Sequence, residues 1–88
     1  MIVKQLTVEN ELGLHARVAS RIVSETKAFQ STIQVRKDGK TFNLKNVTGV
    51  IMVNGKKGDV LSVEFSGEDE ERACEAVAAL FAEKFGER

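Results

Sequence analysis

Gly13-Leu14-His15-Ala16-Arg17-Val18-Ala19-Ser20-Arg21-Ile22-Val23-Ser24-Glu25-Thr26-Lys27 is the stretch around which the chain is organised. Ala19, Ile22, Val23 and Thr26 fall at the i, i+3, i+4, i+7 spacing of one helix face. The spacing predicts a helix from about Ala16 to Lys27, with Ser20, Arg21 and Ser24 exposed and Lys27 meeting its C-terminal dipole. His15, the only histidine, then stands at or just before the helix N-terminus. Such an end presents unpaired N–H groups and a positive dipole, which favour an anion, phosphate above all. Arg17 adds a permanent cation suited to phosphoryl oxygens. A histidine there can form a covalent intermediate with a phosphoryl group. The ordinary alternative is a capping or surface histidine.

Working outward, Ile2 to Val8 alternates tolerably, with Ile2, Leu6 and Val8 on one side, and reads as a strand. Glu9 to Gly13 is the loop that delivers His15. Beyond the helix, Ile33 and Val35 alternate with Thr32, Gln34 and Arg36, and Asp38-Gly39 follows. Asp-Gly between alternating segments signals a type I′ hairpin. The return strand is expected at Lys40 to Leu44, with Phe42 and Leu44 inward. Asn46 is a good N-cap for a short helix over Val47 to Met52, with Val47, Val50 and Ile51 on one side. Gly49 within it suggests close packing or a shallow, partly exposed element. A strand over Val50 to Val53 competes, since three of those four residues are β-branched.

Val60 to Ser66 reads as a strand with Leu61, Val63 and Phe65 on the core face. Glu68, Asp69, Glu70 and Glu71 place negative charge at a helix start. An acidic docking patch or metal site is their less ordinary explanation. Ala73, Ala76, Val77, Leu80, Phe81 and Lys84 form the face of the last helix, with Gly86 as its stop. The order is β-α-β-β-α-β-α. Amphipathic helices need one apolar sheet face to cover, so the expected fold is α+β, with three helices on one face of an antiparallel sheet.

The 88 residues are expected to form one domain, 1–88. Thirteen acidic and thirteen basic residues cancel, which argues against a nucleic acid or an anionic membrane held by bulk charge. No aromatic pair with basic neighbours marks an RNA-binding sheet. One cysteine, Cys74, cannot form an internal disulfide and reads as a small helix residue. No signal peptide or membrane span is evident, so a cytoplasmic protein is expected. A second histidine is absent, so neither a metal site of the common histidine-containing kind nor a Ser-His-Asp triad is available.

Gly13-Leu14-His15-Ala16-Arg17 closely resembles the active-site segment of the HPr family, the histidine phosphocarriers of the phosphotransferase system. The resemblance extends to GKTFNLKNVTGVIMVNGKKGD (39–59) and SGEDEERACEAVAALF (66–81), nearly the whole chain. It implies an HPr-like open-faced β-sandwich with strand order 1-4-2-3, and it decides for a helix after Asn46. It implies a bacterial carrier, not an enzyme, without a cofactor and expected as a monomer. Enzyme I, charged by phosphoenolpyruvate, would phosphorylate His15 on Nδ1. The group would pass to the sugar-permease component EIIA. Arg17 would neutralise the phosphoryl charge, and backbone N–H groups of Ala16 and Arg17 would contact its oxygens, with the N–H of Val18 as a further donor particular to this chain. The partner surface would be Ser20, Ser24, Val47, Thr48 and Ile51, core packing being the alternative for Val47 and Ile51.

Two departures stand out. Val18 replaces a family proline, which restores an N–H in the first turn and loses some preorganisation. Asn46 occupies the place of a regulatory serine found in some members, and its amide has no hydroxyl to phosphorylate. Two other functions stay open: an NPr-type nitrogen-branch carrier, and a regulatory docking module of the same fold. Retention of His15 and Arg17 speaks against a purely non-phosphorylated module.

Overall fold

The structure, a computed structural model, describes residues 1–87. Period-two alternation builds four strands: β1 (Ile2–Thr7), β2 (Thr32–Lys37), β3 (Lys40–Asn43) and β4 (Val60–Ser66). Longer spacing builds three helices: α1 (Ala16–Thr26), α2 (Val47–Val53) and α3 (Glu70–Ala82). The sheet is antiparallel in the order β1-β4-β2-β3. Leu6, Ile33, Val35, Leu61, Val63 and Phe65 share one buried cluster with Val18, Ala19 and Ile22 of α1, Val50 and Val53 of α2, and Ala73, Val77, Leu80 and Phe81 of α3. The helices therefore cover one face of the sheet. Burying a side chain such as Ile22 or Phe65 contributes about 1.5–3 kcal/mol, which holds each amphipathic helix in place.

Asp38 and Gly39 have φ of 52° and 77°, the positive pair that a type I′ turn requires. Strand ends fall slightly inside the sequence expectation. Val8 and Leu44 lie just past β1 and β3, and both are buried. Their N–H groups bond outside regular pairing, to the carbonyls of Asp59 and Ile33. The first helix ends at Thr26, with Lys27 as its C-cap.

Asn46 caps α2, its side chain accepting from the Gly49 N–H at 3.0 Å. A Cβ on Gly49 would stand 2.4 Å from the Asn43 carbonyl oxygen, so the close packing inferred from this glycine is real. The buried face of α2 is Val50 and Val53, not Val47 with Val50 and Ile51. Val47 and Ile51 are 37% and 44% exposed, which removes core packing as their explanation.

The last helix also departs from its expected face. α3 stops at Ala82, Ala76 is only half-buried, and Lys84 is exposed in a separate 3₁₀ turn over Lys84–Gly86. Lys84 and Phe85 have φ of 55° and 56°, a left-handed backbone that ends the helix before Gly86 is reached. That turn folds Phe85 into the core, edge-on to Phe81 at 4.8 Å.

The acidic start of α3 is partly built into the fold. The Asp69 carboxylate accepts N–H groups of Gln30 and Ser31, both at 2.9 Å, and the Ser31 hydroxyl. These bonds, the Ser31 hydroxyl foremost, lower its pKa from 3.8 to about 2. A pKa lowered by folding adds stability above the unfolded value and loses it as pH falls through the folded value. Asp69→Asn is expected to melt below the parent at neutral pH. Melting curves on both proteins should converge as pH falls from about 4 to about 2.

Candidate functional site

The loop before α1 is set by close backbone approach. Gly13 has φ of 71°, and a Cβ there would lie 2.4 Å from the Gly55 carbonyl oxygen. The Leu14 N–H donates to that same oxygen at 2.9 Å, and the Leu14 side chain is buried against Gly55. The loop is thereby clamped to the turn after α2.

His15 follows as the N-cap of α1, in extended conformation. Its carbonyl accepts the Ala19 N–H at 2.8 Å, and its ring Nδ1 accepts the Arg17 N–H at 3.3 Å. The other ring nitrogen, Nε2, lies 2.9 Å from Oε1 of Glu87. An ionised carboxylate only accepts, so Nε2 carries the proton and Nδ1 keeps its lone pair; this tautomer follows from the partners. The His15 N–H is in turn the main cause that holds the Glu87 carboxyl below its ordinary range, against the opposing effect of burial.

Arg17 is 85% exposed, with Nη1 3.8 Å from Oε2 of Glu87. In high dielectric such a pair adds little stability, so the guanidinium is free to re-aim. An open hollow of about 340 Å³ beside this pair is lined by Glu11, Leu12, Arg17, Gly86 and Glu87. The backbone N–H groups of Ala16, Arg17 and Val18 belong to the first turn of α1, where helix donors lack internal acceptors. The side chain of Val18 points into the core.

His15 and Arg17 are thus together, as expected. Ser20 and Ser24 are exposed on α1, and Val47, Thr48 and Ile51 on α2, which packs beside it. Met52, 62% exposed, extends the apolar surface of α2. Sequence reasoning missed Glu87 and Asn10. Glu87 lies 72 residues from His15 and carries no local signal. Asn10 is fully buried in a loop, and polar loop residues are ordinarily exposed.

The sequence matches the family model described as "PTS HPr component phosphorylation site" over residues 2–83. A phosphocarrier protein HPr of Xylella fastidiosa is 38% identical, covering 99% of this chain and 98% of the relative. A crystal structure of HPr-C-His from Thermoanaerobacter tengcongensis superposes with a TM-score of 0.93 at 36% identity, covering 100% of this chain and 99% of that one. Relatives with other names also match. A phosphocarrier protein NPr of Proteus mirabilis is 33% identical, covering 96% of this chain and 94% of its own. An HPr-like protein Crh of Halalkalibacterium halodurans is 38% identical, covering 96% and 99%.

Gly13 tests the clamp. Gly13→Ala combines a left-handed φ with a collision against backbone, so it is expected to destabilise by about 2 kcal/mol or more in a denaturant titration. The His15 ring resonances should shift in the same variant. An unchanged midpoint would show that the loop can move without cost.

Proposed function

The chain belongs to the HPr family of phosphocarrier proteins, and on that premise we propose that His15 accepts a phosphoryl group on Nδ1 from enzyme I and yields it to EIIA. The observation that supports this reading is the ring's two-sided hold: Nδ1 faces the first turn of α1 and Nε2–H faces Glu87.

The step needs no proton transfer at the attacking atom. The Nδ1 lone pair forms a bond to phosphorus while the donor's bond to phosphorus breaks and its electron pair leaves with the donor. The ring becomes cationic, keeping its proton on Nε2. The Glu87 carboxylate, 2.9 Å from Nε2, opposes that charge. At 3.3 Å the Arg17 N–H bond is long and easily exchanged for a phosphoryl oxygen. Arg17 itself and the N–H groups of Ala16 and Val18 supply further donors. Few of these contacts are strong or enclosed, which suits a group that must leave again. Return of the Nδ1 electron pair to the ring completes the transfer.

His15, Arg17 and Glu87 meet within one chain, which supports a carrier that works as a monomer. Val47, Thr48 and Ile51, with Ser20 and Ser24, form the partner surface in this proposal. Asn46 spends its side-chain oxygen on the α2 cap and has no hydroxyl, so serine-type regulation by a kinase is not expected at this position.

Incubation with enzyme I and phosphoenolpyruvate is expected to add one acid-labile phosphoryl group by intact mass. His15→Ala should add none. Labelling of that variant would overturn the assignment. Sugar-branch and nitrogen-branch enzymes offered in parallel identify the branch by the faster transfer. A second measurement concerns the partner surface. Ile51 is 44% exposed, so Ile51→Ser should leave stability within about 0.5 kcal/mol of the parent. The same change should raise KM for enzyme I by about fivefold, as loss of an apolar interface contact does.

A further inference from the structure

Asn10 is fully buried in the loop between β1 and α1. Its amide nitrogen donates to the Gly13 carbonyl oxygen at 2.8 Å and to Oε1 of Glu87 at 3.2 Å. Both partners are acceptors here, which settles the orientation of the amide. Its oxygen, Oδ1, accepts no hydrogen bond among the described residues. A buried acceptor left unpaired costs stability, so an amide at this position is poorly explained by stability alone. What the amide does is set by its two N–H groups. One holds the backbone two residues before His15. The other holds the carboxylate oxygen that also receives the His15 Nε2–H.

The opposite oxygen of Glu87, Oε2, has no hydrogen-bond partner among the described residues, and the Arg17 guanidinium stands 3.8 Å away. Without the Asn10 donor, no described residue on the buried side opposes rotation of the carboxylate toward Arg17. The Nε2–H would then lose its acceptor or share it.

We propose that Asn10 is a positioning residue: its buried amide fixes Glu87 and the backbone just before His15 relative to each other, and so holds the imidazole with its proton on Nε2 and the Nδ1 lone pair turned to the first turn of α1. This deepens the carrier reading and rests on it for its consequence in transfer. The arrangement itself can be tested on the unphosphorylated protein.

Asn10→Asp keeps the shape but replaces both donors with a carboxylate facing Glu87. At neutral pH, exchange of the His15 Nε2–H with solvent, followed by 15N–1H NMR, is expected to accelerate about fivefold. The double variant Asn10→Asp/Glu87→Gln restores a donor–acceptor pair. By turning so that its nitrogen meets the carboxylate introduced at position 10 and its oxygen meets Nε2–H, the amide introduced at position 87 can divide between two atoms the contacts that Oε1 alone makes in the parent. Exchange in the double variant should return to within about twofold of Glu87→Gln alone. A merely structural role for Asn10 would show no rescue from a change at position 87. Asn10→Ala, which brings no charge, serves if Asn10→Asp fails to fold, with the same acceleration expected. Exchange at the parental rate in a folded Asn10 variant, or a double variant no slower than Asn10→Asp, would overturn the proposal. Phosphoryl acceptance by the parent is measured separately, so its failure would sink the carrier reading while the NMR comparison still decides the role of Asn10.

Discussion

The contact between Nε2 of His15 and Glu87, 2.9 Å long, joins the two ends of the structural logic. On one side, the ring belongs to α1, whose first turn uses Nδ1 as a cap acceptor. On the other, it belongs to a segment that arrives after α3. A ring held from both nitrogens has one tautomer and one orientation. An exposed histidine would sample several. The constraint has few contacts and stays open to solvent, so it orients the ring without enclosing it.

That contact depends on strain elsewhere. Glu87 can reach His15 because Lys84 and Phe85 adopt left-handed backbone conformations after α3. Two such residues without glycine cost about 1–2 kcal/mol each. Burial of the Phe85 ring against Phe81 offsets a comparable amount, about 1.5–3 kcal/mol. Asn10 completes the arrangement from beneath, tying Glu87 to the same loop that Gly13 and Gly55 clamp. The site is therefore assembled from three segments distant in sequence: the loop before α1, the α1 start and the turn after α3.

Much of this was legible where the determinants are local. The α1 stripe, the Asp38-Gly39 turn, the Asn46 cap and the His15–Arg17 pair are all set by spacing within a few residues. Strand order was not; it entered with the family resemblance, because pairing of β4 between β1 and β2 depends on packing over long separations. The face of α2 was misjudged for a different reason. Val47, Val50, Ile51, Met52 and Val53 make almost every side of this seven-residue helix apolar, so periodicity cannot choose the buried one. Glu87 and Asn10 left no signal, because each acts through a contact that only the folded chain creates.

Transfer of phosphoryl from enzyme I and phosphoenolpyruvate to 15N-histidine-labelled protein, read by one phosphorus–nitrogen coupling in NMR, tests the account most directly. The account predicts one phosphorus bonded to Nδ1 of His15, with the proton retained on Nε2. Phosphorus on Nε2, on another residue, or absent altogether would contradict it.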